Sequence, residues 1–157
     1  MIDKDTLGRH CDVLVHKYNN ERQTIEHVET SKVIAGCIDV LVSRSGDQID
    51  DPLVWKRLLV CIYAGSFETD VESSKLWAKI WNETAIFASG AGTKQAALNR
   101  ILPELCSTIH DYLRDLYWNR RLQGLNMLKD LTASLDPKQF ARHLTSILLT
   151  GLRSIPG

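Results

Sequence analysis

Ser31-Lys32-Val33-Ile34-Ala35-Gly36-Cys37-Ile38 returns 43 positions later as Ser74-Lys75-Leu76-Trp77-Ala78-Lys79-Ile80-Trp81, and 46 positions after that as Arg120-Arg121-Leu122-Gln123-Gly124-Leu125-Asn126-Met127. Each copy carries a base, a small residue three positions on, and a large residue three beyond that: Lys32, Ala35 and Ile38; Lys75, Ala78 and Trp81; Arg121, Gly124 and Met127. Positions three and four apart share a face of a helix. The small residue therefore lets the helix approach a neighbour closely, and the large one fills the space beside that contact. The base can lay its stem along apolar surface while its charge stays in solvent or meets a loop carboxylate.

Around these copies apolar residues recur at helical spacing, with no convincing alternation of apolar and polar residues, so the fold is expected to be all-α. A first helix is read over about 5–19, with Leu7, Cys11, Leu14, Val15 and Tyr18 on one face, and a second over about 23–44, closing at Ser45-Gly46-Asp47. Asp51-Pro52 supplies an N-cap followed by a proline whose missing N–H costs nothing there. That third helix runs through Trp55, Leu58, Leu59 and Ile62 to Gly65, and Asp70 caps a fourth bearing Leu76, Trp77, Ile80 and Trp81 to about Phe87. Ser89-Gly90-Ala91-Gly92 is a flexible break before a fifth helix from Thr93. Pro103 should kink or break that helix, because it removes a backbone hydrogen bond. A sixth helix spans about 117–134, and Asp136-Pro137 repeats the cap-and-proline start for a seventh carrying Phe140, Leu144, Ile147, Leu148 and Leu152.

Helix pairs recurring about every 45 residues have the period of HEAT and armadillo units. The expectation is one helical-repeat segment over 1–157, an α-solenoid of antiparallel pairs with about seven helices: repeats at roughly 5–45, 51–88 and 93–135, then the first helix of another at 137–153. No single pair can cover its own apolar side, so stacking is what buries it. An end pair would keep one such side open, which implies self-association through exposed repeat ends.

Composition narrows the function. Apolar residues make up 44% of the 157, enough for a core, and 19 basic residues balance 19 acidic ones. Zero formal charge argues against nucleic acid or a membrane surface as the main partner. No apolar run approaches the roughly 18 residues of a membrane span, and Met1-Ile2-Asp3-Lys4-Asp5 is too polar for a signal peptide. Cys11, Cys37, Cys61 and Cys106 are far apart and read as reduced core residues, which fits a cytoplasmic or nuclear chain.

Four groupings invite chemistry, and each has a simpler reading. His10, Cys11 and His16 cluster but lack metal-ligand spacing, so Cys11 is read as core and the histidines as helix edges. Cys106 and His110 share a helical face, yet an apolar setting would leave the thiol inert. The Ser89–Gly92 loop lacks both the strand and the glycine-lysine spacing of a phosphate-binding loop, and is read as a linker. Arg114, Arg120 and Arg121 lie beside Asp111 and Asp115, as in a solvated ion network rather than a nucleic-acid patch. Trp55, Trp77, Trp81 and Trp118 are read as core, although Trp77 and Trp81, four apart, could anchor a partner if exposed. The expectation is no enzyme, with no catalytic, metal or cofactor residue.

Five elements occur in order over roughly the second half: Leu76-Trp77-x-x-x-Trp81-x-Glu83; Ser89-Gly90; Ile101-Leu102-Pro103-Glu104; Trp118-x-x-Arg121-x-Gln123-Gly124; and Leu148-Leu149-x-Gly151-Leu152. In these the chain resembles the Ecm29 family of HEAT-repeat proteasome adaptors and scaffolds; before Asp51 little of the likeness remains. The resemblance implies a small part of a larger superhelix, from its C-terminal region, that binds proteasome subunits and bridges proteasome particles. The alternative is another HEAT or armadillo scaffold, such as a transport or signalling adaptor, with an enzyme a distant third.

Overall fold

The computed structural model describes residues 4–20, 27–138 and 141. Among the described residues the chain is helical with no strand. It comprises α1 (Lys4–Asn20), α2 (His27–Ser45), α3 (Pro52–Gly65), α4 (Val71–Ile80), α5 (Lys94–Leu113) and α6 (Trp118–Ser134). A 3-10 turn, Gly46–Gln48, follows α2; α4 runs on through a π-turn, Trp81–Ala85, and a last α-turn, Ile86–Ala88. The Asp136-Pro137 start is present, with Asp136 accepting from the Lys138 backbone N–H at 3.0 Å. The expected seventh helix beyond it, and the closing Leu148–Leu152 element, lie outside the described residues.

The helix starts are local chemistry. Asp51 accepts from the Leu53 N–H at 2.9 Å with Pro52 in the first turn, Asp70 accepts from Ser73 at 2.9 Å, and Thr93 accepts from Ala96 at 3.1 Å. Each satisfies a donor that the first turn leaves without a helical partner. The Ser73 N–H holds the Asp70 carboxyl below the usual carboxylate range. Between α4 and α5 the chain reverses through Gly90 and Gly92, at φ of 79° and 82°, a region that favours glycine. Their N–H groups close on the carbonyls of Phe87 and Ile86. Pro103 does not break α5, which is continuous across it. The ring sits on the exposed side, so one hydrogen bond is lost facing water while Ile101, Leu102, Leu105 and Cys106 stay buried.

The helices stack as three pairs, α1/α2, α3/α4 and α5/α6. In one layer α1 packs on α3 and α3 on α5; in the other α2 packs on α4, and α6 lies on α5 and touches α3. The pairs succeed one another in chain order, as in a helical solenoid, but α6 returns onto α5 and α3 instead of extending the α2/α4 layer. The large residues of the repeated motif, Ile38, Trp81 and Met127, are all in the core. Gly124 meets the neighbour predicted for a small residue: a Cβ there would stand 3.0 Å from that of Tyr112 on α5. Ion pairs tie the helices across their edges: Asp12–Arg57 at 2.7 Å between α1 and α3, Lys32–Glu72 at 2.6 Å between α2 and α4, and Lys94–Asp130 at 3.0 Å between α5 and α6. Lys32 thus meets carboxylates, though of helices and not of a loop, whereas Arg121 donates to the loop carbonyls of Asp115 and Leu116.

Candidate interaction face

Two features concentrate what the array could do: a polar junction sealed between the pairs, and an apolar groove left open at one end. The junction is centred on Glu68, in the α3–α4 connection and buried. Its carboxylate accepts from the Tyr18 hydroxyl at 2.8 Å and the Ser31 hydroxyl at 2.6 Å, and lies 3.4 Å from His27 Nε2. Trp77 Nε1 donates to Ser31 at 2.9 Å. From α6, Gln123 donates to the Ala64 carbonyl at 2.6 Å and to the Tyr18 hydroxyl at 3.3 Å, while Arg120 donates to Gln123 at 3.2 Å.

Arg120 is 1% exposed, its guanidinium over the Tyr112 ring at 4.7 Å. A charge so deep is held by what surrounds it. Burial pulls the Arg120 pKa down, but Tyr112, Tyr18 and Glu68 outweigh that and hold it above the usual value. Burial raises the Tyr18 hydroxyl well beyond its ordinary range and takes Tyr112 up to about 12. Both phenols are therefore neutral at physiological pH. The junction ties all three pairs together through the bonds of Glu68, Tyr18, Ser31 and Gln123, while His27 Nδ1, the Tyr112 hydroxyl and Arg120 Nη2 stay buried without a hydrogen-bond partner among the described residues.

The expected solvated ion network around Arg120 is thus corrected. Arg120 is core, Arg121 is half-buried and Arg114 is exposed, because α6 turns Arg120 inward onto two tyrosines supplied by α1 and α5. Trp55, Trp77 and Trp81 are buried as expected. Trp118 is instead 45% exposed, since it opens α6 at the edge of the array, where Arg121 lies over its ring at 5.6 Å. Leu76, one of the apolar residues read on the fourth helix, is 42% exposed beside the buried Trp77.

Cys11, Cys61 and Cys106 are buried. Burial pushes the Cys106 thiol up to about 11, so it is protonated near neutrality despite His110 one turn away. Cys11 is core while His10 and His16 are exposed on other faces of α1. Among the described residues no three His, Cys, Asp or Glu side chains gather as a metal would require. Cys37 departs from its expectation as a core residue: it is exposed, because among the described residues no helix covers that side of α2.

That uncovered side is the groove, an open hollow of about 680 Å³ between α1 and α2, lined by His10, Val13, Leu14, Val33, Cys37 and Val40, with Gly36 and Leu41 completing it. Val13 and Val33 are each 65% exposed and Val40 51%. The helical periodicity signalled an apolar stripe on each helix but could not say which stripe lacks a neighbour. Among the described residues no helix is long and apolar enough to cross a membrane. No protein-family model, curated protein or solved structure matches the chain.

Proposed function

We propose that the chain is a protein–protein interaction scaffold, whose concrete form is the proteasome adaptor that its second half resembles, working in the cytoplasm or nucleus without catalysing a reaction. The observation that carries this reading is the apolar α1/α2 face, held open on helices that the Glu68 junction and the cross-helix ion pairs fix in place. Preformed apolar surface on rigid helices binds without first having to be ordered, which suits a spacer that holds partners at set positions.

The test is capture of purified proteasomes by the immobilised chain, with a tryptophan-core variant that no longer folds as the blank. Retention of proteasome particles by the folded chain alone is the expected result. If the chain retains none, the proteasome form fails; specific retention of transport or signalling proteins instead would point to another HEAT or armadillo scaffold. A screen for hydrolase or transferase activity should return nothing, and turnover abolished by a point substitution would overturn the non-catalytic reading.

A further inference from the structure

Because α6 returns onto α5 and α3, the connection from α3 to α4 is left facing one side of α6, and an open hollow of about 430 Å³ lies between them. Two elements supply its walls. Ser66, Phe67 and Glu68 stand on the connection, while Asn126, Lys129 and Asp130 stand on α6 at positions that share a face. The Phe67 ring is half-buried, edge-on to Tyr63 at 5.0 Å, and offers an apolar floor.

Most polar groups of the hollow are already engaged. The Glu68 carboxylate serves Tyr18, Ser31 and His27, with Arg120 set against its charge. Asp130 accepts from the Tyr63 hydroxyl at 2.5 Å and pairs with Lys94 at 3.0 Å, and Ser66 donates to the Tyr63 carbonyl. Two groups are left over: the Asn126 amide and the Lys129 ammonium, both exposed and without a partner among the described residues. The uncompensated charge of the lining is therefore positive. An amide side chain can donate to and accept from a peptide group at once, and an ammonium meets a carboxylate through a charge-assisted bond.

We propose that this hollow takes an acidic segment of a partner protein, with a carboxylate side chain on Lys129, main chain on the Asn126 amide and an apolar neighbour on Phe67. A small ligand needs most of its surface enclosed, which an open hollow does not provide, whereas a chain can pass across it. The inference rests on reading the chain as an interaction module, and gives it a second surface whose chemistry differs from that of the apolar α1/α2 groove.

The experiment titrates the chain into a fluorescent, capped peptide alternating glutamate with leucine and reads anisotropy, with glutarate as a small-carboxylate competitor. The expected result is saturable binding that weakens as salt rises. Lys129→Glu should weaken it roughly ten- to hundredfold, the loss of one bond to a charged group. Lys75→Glu, which reverses an exposed base on α4, should leave it within about twofold. Asn126 and Lys129 are exposed, so their variants should keep the helical signal, and the Lys129→Glu chain should turn to the matching peptide with lysine in place of glutamate. Absence of saturable binding overturns the site. So does an equal loss in Lys129→Glu and Lys75→Glu, which would mean diffuse attraction, and so does glutarate that displaces the peptide at the peptide's own concentration. A chain that binds no acidic peptide yet captures proteasomes would sink this site and leave the scaffold reading standing. Peptide binding without proteasome capture would do the reverse for the adaptor form.

Discussion

Replacing Gly65 with alanine puts a methyl group where Trp77 already is. An ideal Cβ at Gly65 would lie 2.7 Å from Trp77 Cδ1 and closer still to Cγ and Cδ2, all inside van der Waals contact. Trp77 cannot retreat easily: it is 0% exposed, its ring meets that of Tyr18 edge-on at 5.2 Å, and its N–H is bound to Ser31. Overpacking of this kind costs about 1–3 kcal/mol, and a buried indole N–H pulled from its acceptor adds roughly 1–3. Alanine's better helix propensity offsets at most about 1 kcal/mol, less at the last residue of α3. The net loss should be about 3 kcal/mol, which for a chain of this size lowers the melting temperature by roughly 6–12 °C. Urea titration of Gly65→Ala, Trp77→Leu and the pair gives the coupling directly, and the double variant should lose less than the sum of the singles. Gly36→Ala is the control. That glycine lies inside α2 with nothing within 4 Å of an added Cβ, so the same substitution should stabilise by about 0.5–1 kcal/mol when measured at low concentration. A Gly65→Ala chain within about 0.5 kcal/mol of wild type, or additive with Trp77→Leu, would refute the reasoning.

Trp81→Ala should cost about 3–5 kcal/mol, the range for truncating a buried aromatic, because Trp81 is 3% exposed and its ring leans on Tyr63 at 5.3 Å; a loss below about 1 in chemical denaturation would place it at the surface. Glu68→Ala strips the shared acceptor from the buried Tyr18 and Ser31 hydroxyls, each of which costs about 1–3 kcal/mol when left unpaired, so about 2–5 kcal/mol should go. A change under about 1 would mean the junction is not a source of stability. Asp12→Asn breaks a two-point contact with Arg57, but each side chain is 40% or more exposed and the pair is screened by solvent, so less than about 1 kcal/mol should be lost. Cys11 and Cys106 have thiols raised from 9.0 to about 11 by burial, so in this window the folded state holds protons that the unfolded state releases. Stability should be unaffected by these thiols below pH 9 and fall from there to about pH 11; a urea midpoint that rises over that interval would contradict the assignment.

The parts legible in the sequence were those fixed by neighbours along the chain. Asp51 and Asp70 cap their helices, and Thr93 begins the fifth as read, because a cap bonds to a backbone group two or three residues away. The repeat placed Ile38, Trp81 and Met127 in the core for the same reason, since a helix brings its own face round every three or four positions. Arg120 defeated that logic. Nothing within a few residues of it announces burial, and its companions Tyr18, Tyr112 and Glu68 come from three other elements. Cys37 and Trp118 failed for the opposite reason: each lies on a stripe that looks like core, and whether a stripe is core depends on a neighbouring helix that the stripe does not encode. Pro103 leaves its helix unbroken, against one of the two outcomes expected of it, because the missing N–H falls on the exposed side, where water can take the freed carbonyl. The open groove between α1 and α2 was not legible, because which apolar stripe stays bare depends on the packing order.

The bond from Gln123 to the Tyr18 hydroxyl reaches across 105 residues, from the third pair back to the first. In a strictly linear stack each unit answers only to those beside it, and a terminal unit can peel away while the rest survives. Here the first pair cannot leave without uncovering the Trp77 indole N–H, the Gln123 amide and the Glu68 carboxylate buried in the other two, so melting of the described region is expected to be all-or-none, with a half-unzipped chain scarcely populated.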